Sequence, residues 1–248
     1  MRKDAGEYKP IGTVYVKYWF RYSVPVDPYS QAGDPLNQTN NTDDKSLRVL
    51  KAASRVFLEH GFSAATTDMI QRAAGVSKAT VYSRYPNKEA LFAAVIENQC
   101  SHFTQQVQKI EVTPGNIRKV LLEIGHTYLS LLLTQEALSL YRVVIEVADR
   151  FPHLAHSFYT SGPGAMTKIL AAHLEKAASA GEIDVQVIGL EPAAILFMGM
   201  LRGEGQLIAL THPGSQASQV QIDQWVNQSV TTFLRAYGSR VKTDATSG

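Results

Sequence analysis

Between residues 66 and 89 the chain holds two short apolar periodicities split by one glycine, Gly75, and few folds accommodate that spacing. Thr66 or Thr67 can cap a first helix, and Asp68 falls in its first turn, where the helix dipole favours negative charge. Met69, Ile70, Ala73 and Ala74 supply the buried side of this short helix, and the small pair Ala73 and Ala74 allows a close crossing. Gly75 ends it, Val76 plugs the turn, and Ser77 caps a second helix over Lys78 to Tyr82 with Val81 pointing inward. Asn87 then caps a third helix that Glu89 supports. Short helix, glycine turn and short helix make the layout of a helix-turn-helix, whose second helix enters the DNA major groove.

The flanks agree. From Asp44 a helical pattern places Leu47, Leu50, Ala53, Val56 and Phe57 on one face, Gly61 supplies the stop, and Phe62 folds back on that helix. In the second short helix Lys78, Ala79, Thr80 and Tyr82 remain to face outward. A lysine suits guanine acceptors or phosphate, an alanine a thymine methyl, and a threonine and a tyrosine phosphates. Thr66 reads equally as a plain cap, and Tyr85 as core or as a contact. Residues 45–99 hold eight Lys or Arg against four Asp or Glu, whereas the whole chain sums to only +2. Positive charge is therefore concentrated in the segment expected to meet phosphate.

The run from Thr66 to Glu89 resembles the N-terminal DNA-binding domain of the TetR family of bacterial transcriptional regulators. That resemblance implies that Thr67, Tyr82 and Lys88 contact the DNA backbone. With the outward residues and the caps, the expected DNA-binding set is Thr66, Thr67, Ser77, Lys78, Ala79, Thr80, Tyr82, Tyr85 and Lys88. A module this small binds modestly alone, so two copies on one palindromic operator are expected.

Beyond Lys88 the sequence stays helical. Leu91, Phe92, Val95 and Ile96 form one stripe, and Thr113, Pro114 and Gly115 break the run. Val120, Leu121, Ile124, Tyr128, Leu131 and Leu132 then carry a helix from Ile117 to Leu133, and Thr134 opens another through Asp149. Pro152 starts the next, Ser161 to Gly164 interrupts it, Gly181 closes the segment, and Pro192 opens a helix to Leu210 that is apolar over most of its circumference. Ile222, Trp225, Val226, Val230, Phe233, Leu234 and Tyr237 give a last helix a broad apolar face. The expectation is an all-α protein of about nine helices, a helix-turn-helix domain plus a larger helical domain. Its expected divisions are an atypical, poorly ordered extension over 1–44, the DNA-binding domain over 45–92, a ligand-binding and dimerisation domain over 93–240, and a disordered tail over 241–248.

The second half resembles the AefR-like group of TetR C-terminal domains, on Tyr141 to Glu146 and on Arg150, Phe151 and Pro152. The family resemblance implies a small-molecule pocket among the central helices, on which Phe103, Tyr128, Tyr141, Phe158, Tyr159 and Met166 lie, each also readable as plain core. Arg142 and Glu146, one turn apart, pair with each other or orient a polar ligand. The resemblance also implies a homodimer through the last two helices, with Phe197, Met200, Leu201, Leu207, Trp225, Val226 and Phe233 at the interface. Close packing at that interface accounts for Gly199 and Gly203 better than a nucleotide loop does, since no strand precedes them.

Other classes recede. His153, His156 and His173 could gather around a metal, but no carboxylate or cysteine completes a persuasive set, so neither metal nor cofactor is expected. No Ser-His-Asp arrangement, phosphate loop or carboxylate pair suggests an enzyme. No uninterrupted apolar run approaches the roughly 20 residues of a membrane helix. Cys100, the single cysteine, excludes an internal disulfide and fits a reducing cytoplasm, as buried packing or as a redox sensor. Thr13 to Val24 alternates as a strand would, and Gln31 to Asp44 reads as a polar linker. An arm contacting DNA or the second domain and a later translation start are both open for residues 1–44; an intact Met1 or Arg2 in the native protein's mass spectrum would sink the later start. The function expected is a dimeric repressor released from its operator by a small molecule, with an activator or an architectural DNA-binding protein as the alternative.

Overall fold

The computed structural model describes residues 39–111, 115–212 and 214–239. The strand expected over Thr13 to Val24, the start-site question, most of the polar linker and the tail after residue 240 lie outside these residues. The described chain forms ten helices: α1 Thr39–Ala64, α2 Thr67–Ala74, α3 Lys78–Tyr82, α4 Lys88–Gln108, α5 Ile117–Leu132, α6 Gln135–Val147, α7 Pro152–Ser161, α8 Pro163–Ser179, α9 Leu190–Thr211 and α10 Gln219–Tyr237. Strand pairing among the described residues is limited to one isolated bridge between Ile183 and Gly238. The fold is all-α.

Helix α1 starts at Thr39, inside the segment read as linker, because polar Asn, Thr and Asp residues populate first turns as readily as loops. Its buried face is Val49, Ala52, Ala53, Val56 and Phe57, rotated from the expected one, so Leu47 is 50% exposed. Gly61, at φ 76°, interrupts the helix where a left-handed residue was expected, and Phe62 turns back into the core. Ile70 and Ala74 form the buried side of α2, whereas Ala73 is exposed and takes no part in the helix crossing.

Two hydrophobic cores hold the helices. The first gathers Val49, Phe57, Phe62, Ile70, Val81, Phe92 and Ile96 together with Val143, Val144 and Val147 of α6 and Leu154 of α7. The second joins α5, α8, α9 and α10 around Leu121, Ile124, Leu129, Leu170, Phe197, Leu201, Val226 and Phe233. Helix α4 is continuous through both, giving Leu91 and Phe92 to one and Val107 to the other. By length and composition α9, with mean hydropathy 1.3, is apolar enough to cross a membrane. Here its inner face, Ala193, Ala194, Phe197, Met198 and Leu201, is buried against neighbouring helices.

Glycines set the closest helix approaches. A Cβ on Gly125 would stand 2.8 Å from Val226 Cγ1 and 3.2 Å from Leu201 Cδ2, and one on Gly205 would meet the Trp225 ring at 2.7 Å. Alanine is intrinsically the better helix former by about 1 kcal/mol, but forcing a methyl into this contact costs about 1–3 kcal/mol. Gly125→Ala should therefore lower the midpoint of thermal or urea unfolding; an unchanged or raised midpoint would contradict the packing of α5 on α10.

Candidate functional site

Capping builds the helix-turn-helix. Thr66 Oγ1 accepts from Met69 N at 3.2 Å at the start of α2, and Ser77 Oγ accepts from Thr80 N at 3.2 Å at the start of α3. Gly75, at φ 64°, closes α2 in the left-handed conformation and lets the chain reverse within two residues. Arg48, which the sequence pattern does not single out, secures the turn: its Nη2 donates to Ala74 O at 2.8 Å and Gly75 O at 3.3 Å. Val81 is buried beneath α3, as its spacing predicts.

On the outer side, Thr67, Lys78 and Tyr82 come together. Thr67 Oγ1 and Tyr82 Oη share a hydrogen bond of 3.1 Å across the two short helices, and Lys78 Nζ lies 6.0 Å from the Tyr82 ring centroid. Lys78 also pairs with Asp68 at 3.1 Å, through a hydrogen bond and charge that raise the lysine's pKa. Ala79 is exposed, Thr80 half-buried and hydroxyl-bonded to Ser77 at 2.9 Å. Tyr85 is half-buried against the head core, and burial raises its pKa.

Lys88, expected at a phosphate, has its ammonium turned onto backbone carbonyls. Its ammonium donates to Phe62 O at 2.7 Å, Ala65 O at 3.0 Å and Ser63 O at 3.4 Å, and sits 4.4 Å from the Phe62 ring centroid. All three donors of the ammonium are thus engaged by carbonyls past the Gly61 break. Desolvation, the largest effect, lowers its pKa.

In the helical half a cavity of about 210 Å³ opens between α4, α5, α6, α8 and α9, and Phe103, Tyr128, Tyr141, Phe158 and Met166 all line it. A neighbouring hollow of about 430 Å³ shares Tyr128, Tyr141, Phe158, Pro163 and Arg202 with it and adds Tyr159 and Ile195. Tyr141 and Phe158, edge to face at 5.7 Å and 86°, stand in the wall common to both. Burial pushes the Tyr128 hydroxyl up to about 12, with the Arg202 charge pulling partly back, so it stays a neutral phenol. Burial likewise pushes Cys100, on the cavity wall, up to about 12, which makes it an inert packing thiol.

Two residues expected at the ligand are elsewhere. Arg142 donates to Ala209 O at 2.7 Å and Leu210 O at 3.2 Å, capping the end of α9. Glu146 accepts from Ser63 Oγ at 3.0 Å, on the head. One helical turn apart, they point to different elements and neither lines the cavity. Arg202 and Gln206, which do line it, belong to no motif; the one signal in the sequence is a cation breaking the apolar run from Pro192 to Leu210. His173 is buried in α8 with both ring nitrogens unpartnered and its pKa lowered by burial, and among the described residues no three metal-binding side chains converge.

Comparison with known proteins follows this division. Residues 49–95 match the model of bacterial regulatory proteins of the tetR family, and residues 119–239 that of the AefR-like transcriptional repressor C-terminal domain. The solved structure of the flavonoid-responsive regulator FrrA is 34% identical, with a TM-score of 0.69, over 80% of this chain and 100% of that one. The chain belongs to the TetR family. A TetR-family regulator from Mesorhizobium loti superposes with a TM-score of 0.75 at 26% identity, over 81% of this chain and 100% of that one. The HTH-type transcriptional regulator YvkB of Bacillus subtilis (strain 168) is 27% identical over 76% of this chain and 94% of its own. This chain is therefore a helix-turn-helix transcriptional regulator, in a family of regulators rather than enzymes.

The residues expected at a TetR-family dimer interface divide in the structure. Phe197, Leu201, Val226 and Phe233 are buried inside the subunit, because the broad apolar faces of α9 and α10 pack on α5 and on each other. Trp225 is half-buried against Gly205. What α9 leaves outside is a stripe of Leu196, Gly199, Met200, Gly203 and Leu207, with Leu207 61% exposed and open space over both glycines. Lys88→Met should destabilise this regulator by about 1–3 kcal/mol in urea unfolding, because three carbonyls would be left without their charged donor. Unchanged stability combined with weakened DNA binding would restore the phosphate role instead.

Proposed function

We propose that this regulator binds a palindromic DNA operator as a homodimer, represses from it, and is released when a small molecule occupies the cavity beside α6. Helix α6 carries the reading. Tyr141 lies on the cavity wall, Arg142 holds the end of α9, Val143, Val144 and Val147 sit in the head core, and Glu146 holds Ser63. An occupant that shifts α6 therefore moves groups fixed to the head. To favour release it must bind the shifted arrangement better, and a tenfold difference corresponds to about 1.4 kcal/mol per site. The relative whose printed name is flavonoid-responsive supports small-molecule control.

The exposed α9 stripe supports the dimer. Leu196 and Met200 follow helical spacing up to the break at Gly203 (φ 36°, ψ −143°), Leu207 is exposed beyond it, and the open space over Gly199 and Gly203 admits a partner helix at close range. Two heads then address half-sites one duplex turn apart. At each head Lys78 and Tyr82 meet phosphates or base edges, with Thr67 orienting the tyrosine hydroxyl and Asp68 competing for the lysine.

The test is a gel shift on DNA from the protein's own upstream region with nonspecific competitor. The double variant Lys78→Ala, Tyr82→Phe should bind at least tenfold more weakly. Its log-affinity should also fall less steeply with log salt, by about 0.9 for each phosphate that is no longer neutralised. Unchanged affinity and slope in the double variant would refute this assignment of the head.

A further inference from the structure

The cavity wall carries exposed His102, Thr134 and Glu136, the hydrogen-bonded Gln99, and a half-buried cation, Arg202, with Gln206 on the same helix. The hollow between Tyr141, Phe158, Ile195 and Met198 contains one side chain charged at neutral pH, Arg202. Its Nε donates to Met198 O at 3.3 Å, and among the described residues no carboxylate pairs with the guanidinium. Its remaining N–H groups meet no acceptor among the described residues. Four residues on, past the break at Gly203, Gln206 is 8% exposed, lines the adjoining cavity, and makes no hydrogen bond within the described protein. Tyr128 and Tyr141, on the same walls, likewise have no hydrogen-bond partner among the described residues. Of these groups only the guanidinium is a pure donor, and half-burying it without a counter-charge is costly.

We propose that the cavity binds an organic anion with a flat aromatic body, its carboxylate or phenolate held by Arg202 with Gln206 alongside. This rests on the effector reading above and gives the effector a chemical class. Arg202 borders both hollows, so an oxyanion placed there leaves the ring system to lie among Phe103, Tyr128, Tyr141 and Phe158. Two edge-to-face pairs, Tyr141 with Phe158 and Phe103 with Tyr128 at 5.9 Å, already show the geometry that aromatic rings adopt on these walls. A planar guanidinium grips a carboxylate through two parallel N–H donors, which a neutral isostere cannot match. Glu136, the one carboxylate on the cavity wall, is exposed at its rim, where Gln99 Nε2 donates to its Oε1 at 2.7 Å, so it does not neutralise Arg202.

The experiment is isothermal titration of the full chain with 2-naphthoate and with its neutral isostere 2-naphthamide. The unaltered protein should bind the anion at least tenfold more tightly, and Arg202→Met should erase the difference while leaving the amide's affinity nearly unchanged. Titrating 2-naphthol through its own ionisation separates the sources. A preference limited to 2-naphthoate identifies a carboxylate, and a gain on ionising the naphthol identifies a phenolate. Equal affinity for anion and amide in the unaltered protein would overturn the proposal without reference to any variant. So would a preference that survives Arg202→Met, or no binding of any of the three probes at millimolar concentration. A gel shift with 2-naphthoate bound keeps the two readings apart. Charge-selective binding that leaves the operator complex intact sinks release by ligand and leaves the anion site standing.

Discussion

Phe62 packs against Phe57 at 5.8 Å, Phe92 at 5.3 Å and Phe151 at 5.1 Å, and so joins the DNA-reading end of the chain to the helical body. Because Val143, Val144, Val147 and Leu154 complete the same core, the helix-turn-helix is not a bead on a flexible string. Close-packed interiors transmit displacement rather than absorb it. The ammonium of Lys88 reinforces the junction by gathering carbonyls at the C-terminal end of α1, where no further helical turn supplies donors. Helices α4 and α6 both line the cavity and both enter this core, α4 through Phe92 and α6 through Val143, Val144 and Val147.

Polar side chains in the body fall into two kinds. Arg142 and Glu146 are satisfied within the protein and act as ties, one to the end of α9 and one to Ser63. Arg202 and Gln206 line the cavity, and apart from Arg202 Nε to Met198 O their side chains have no hydrogen-bond partner among the described residues. Both kinds meet on α9 beyond its break at Gly203 (φ 36°, ψ −143°), since Arg142 grips Ala209 O and Leu210 O about one turn past Gln206.

Local rules carry the head. Caps at Thr66, Ser77 and Asn87, the left-handed Gly75 and the inward Val81 are decided within four residues of sequence, so they can be read directly. Lys88 and Arg48 cannot, because their partners are backbone carbonyls more than twenty residues away, brought close only by tertiary packing. The body shows the same divide. The helices and their broad apolar faces are legible, but not which apolar side faces its own subunit, so Phe197 and Val226 read as interface although they are core. That aromatic residues of the central helices border a cavity is implied by the family resemblance, since their spacing reads equally as core. The charge inside it is not legible, since spacing alone does not distinguish a cation on an apolar wall from one on a solvated face.

The coupling between cavity and head is tested most directly by filling the cavity from α6 itself and measuring operator affinity by fluorescence anisotropy. Ala137 lines the cavity on that helix, and Ala137→Phe would occupy ligand space without any ligand. The expected result is operator binding at least tenfold weaker, about 1.4 kcal/mol, with circular dichroism and nonspecific DNA binding retained. Undiminished operator affinity in a folded Ala137→Phe protein would contradict the coupling through α6.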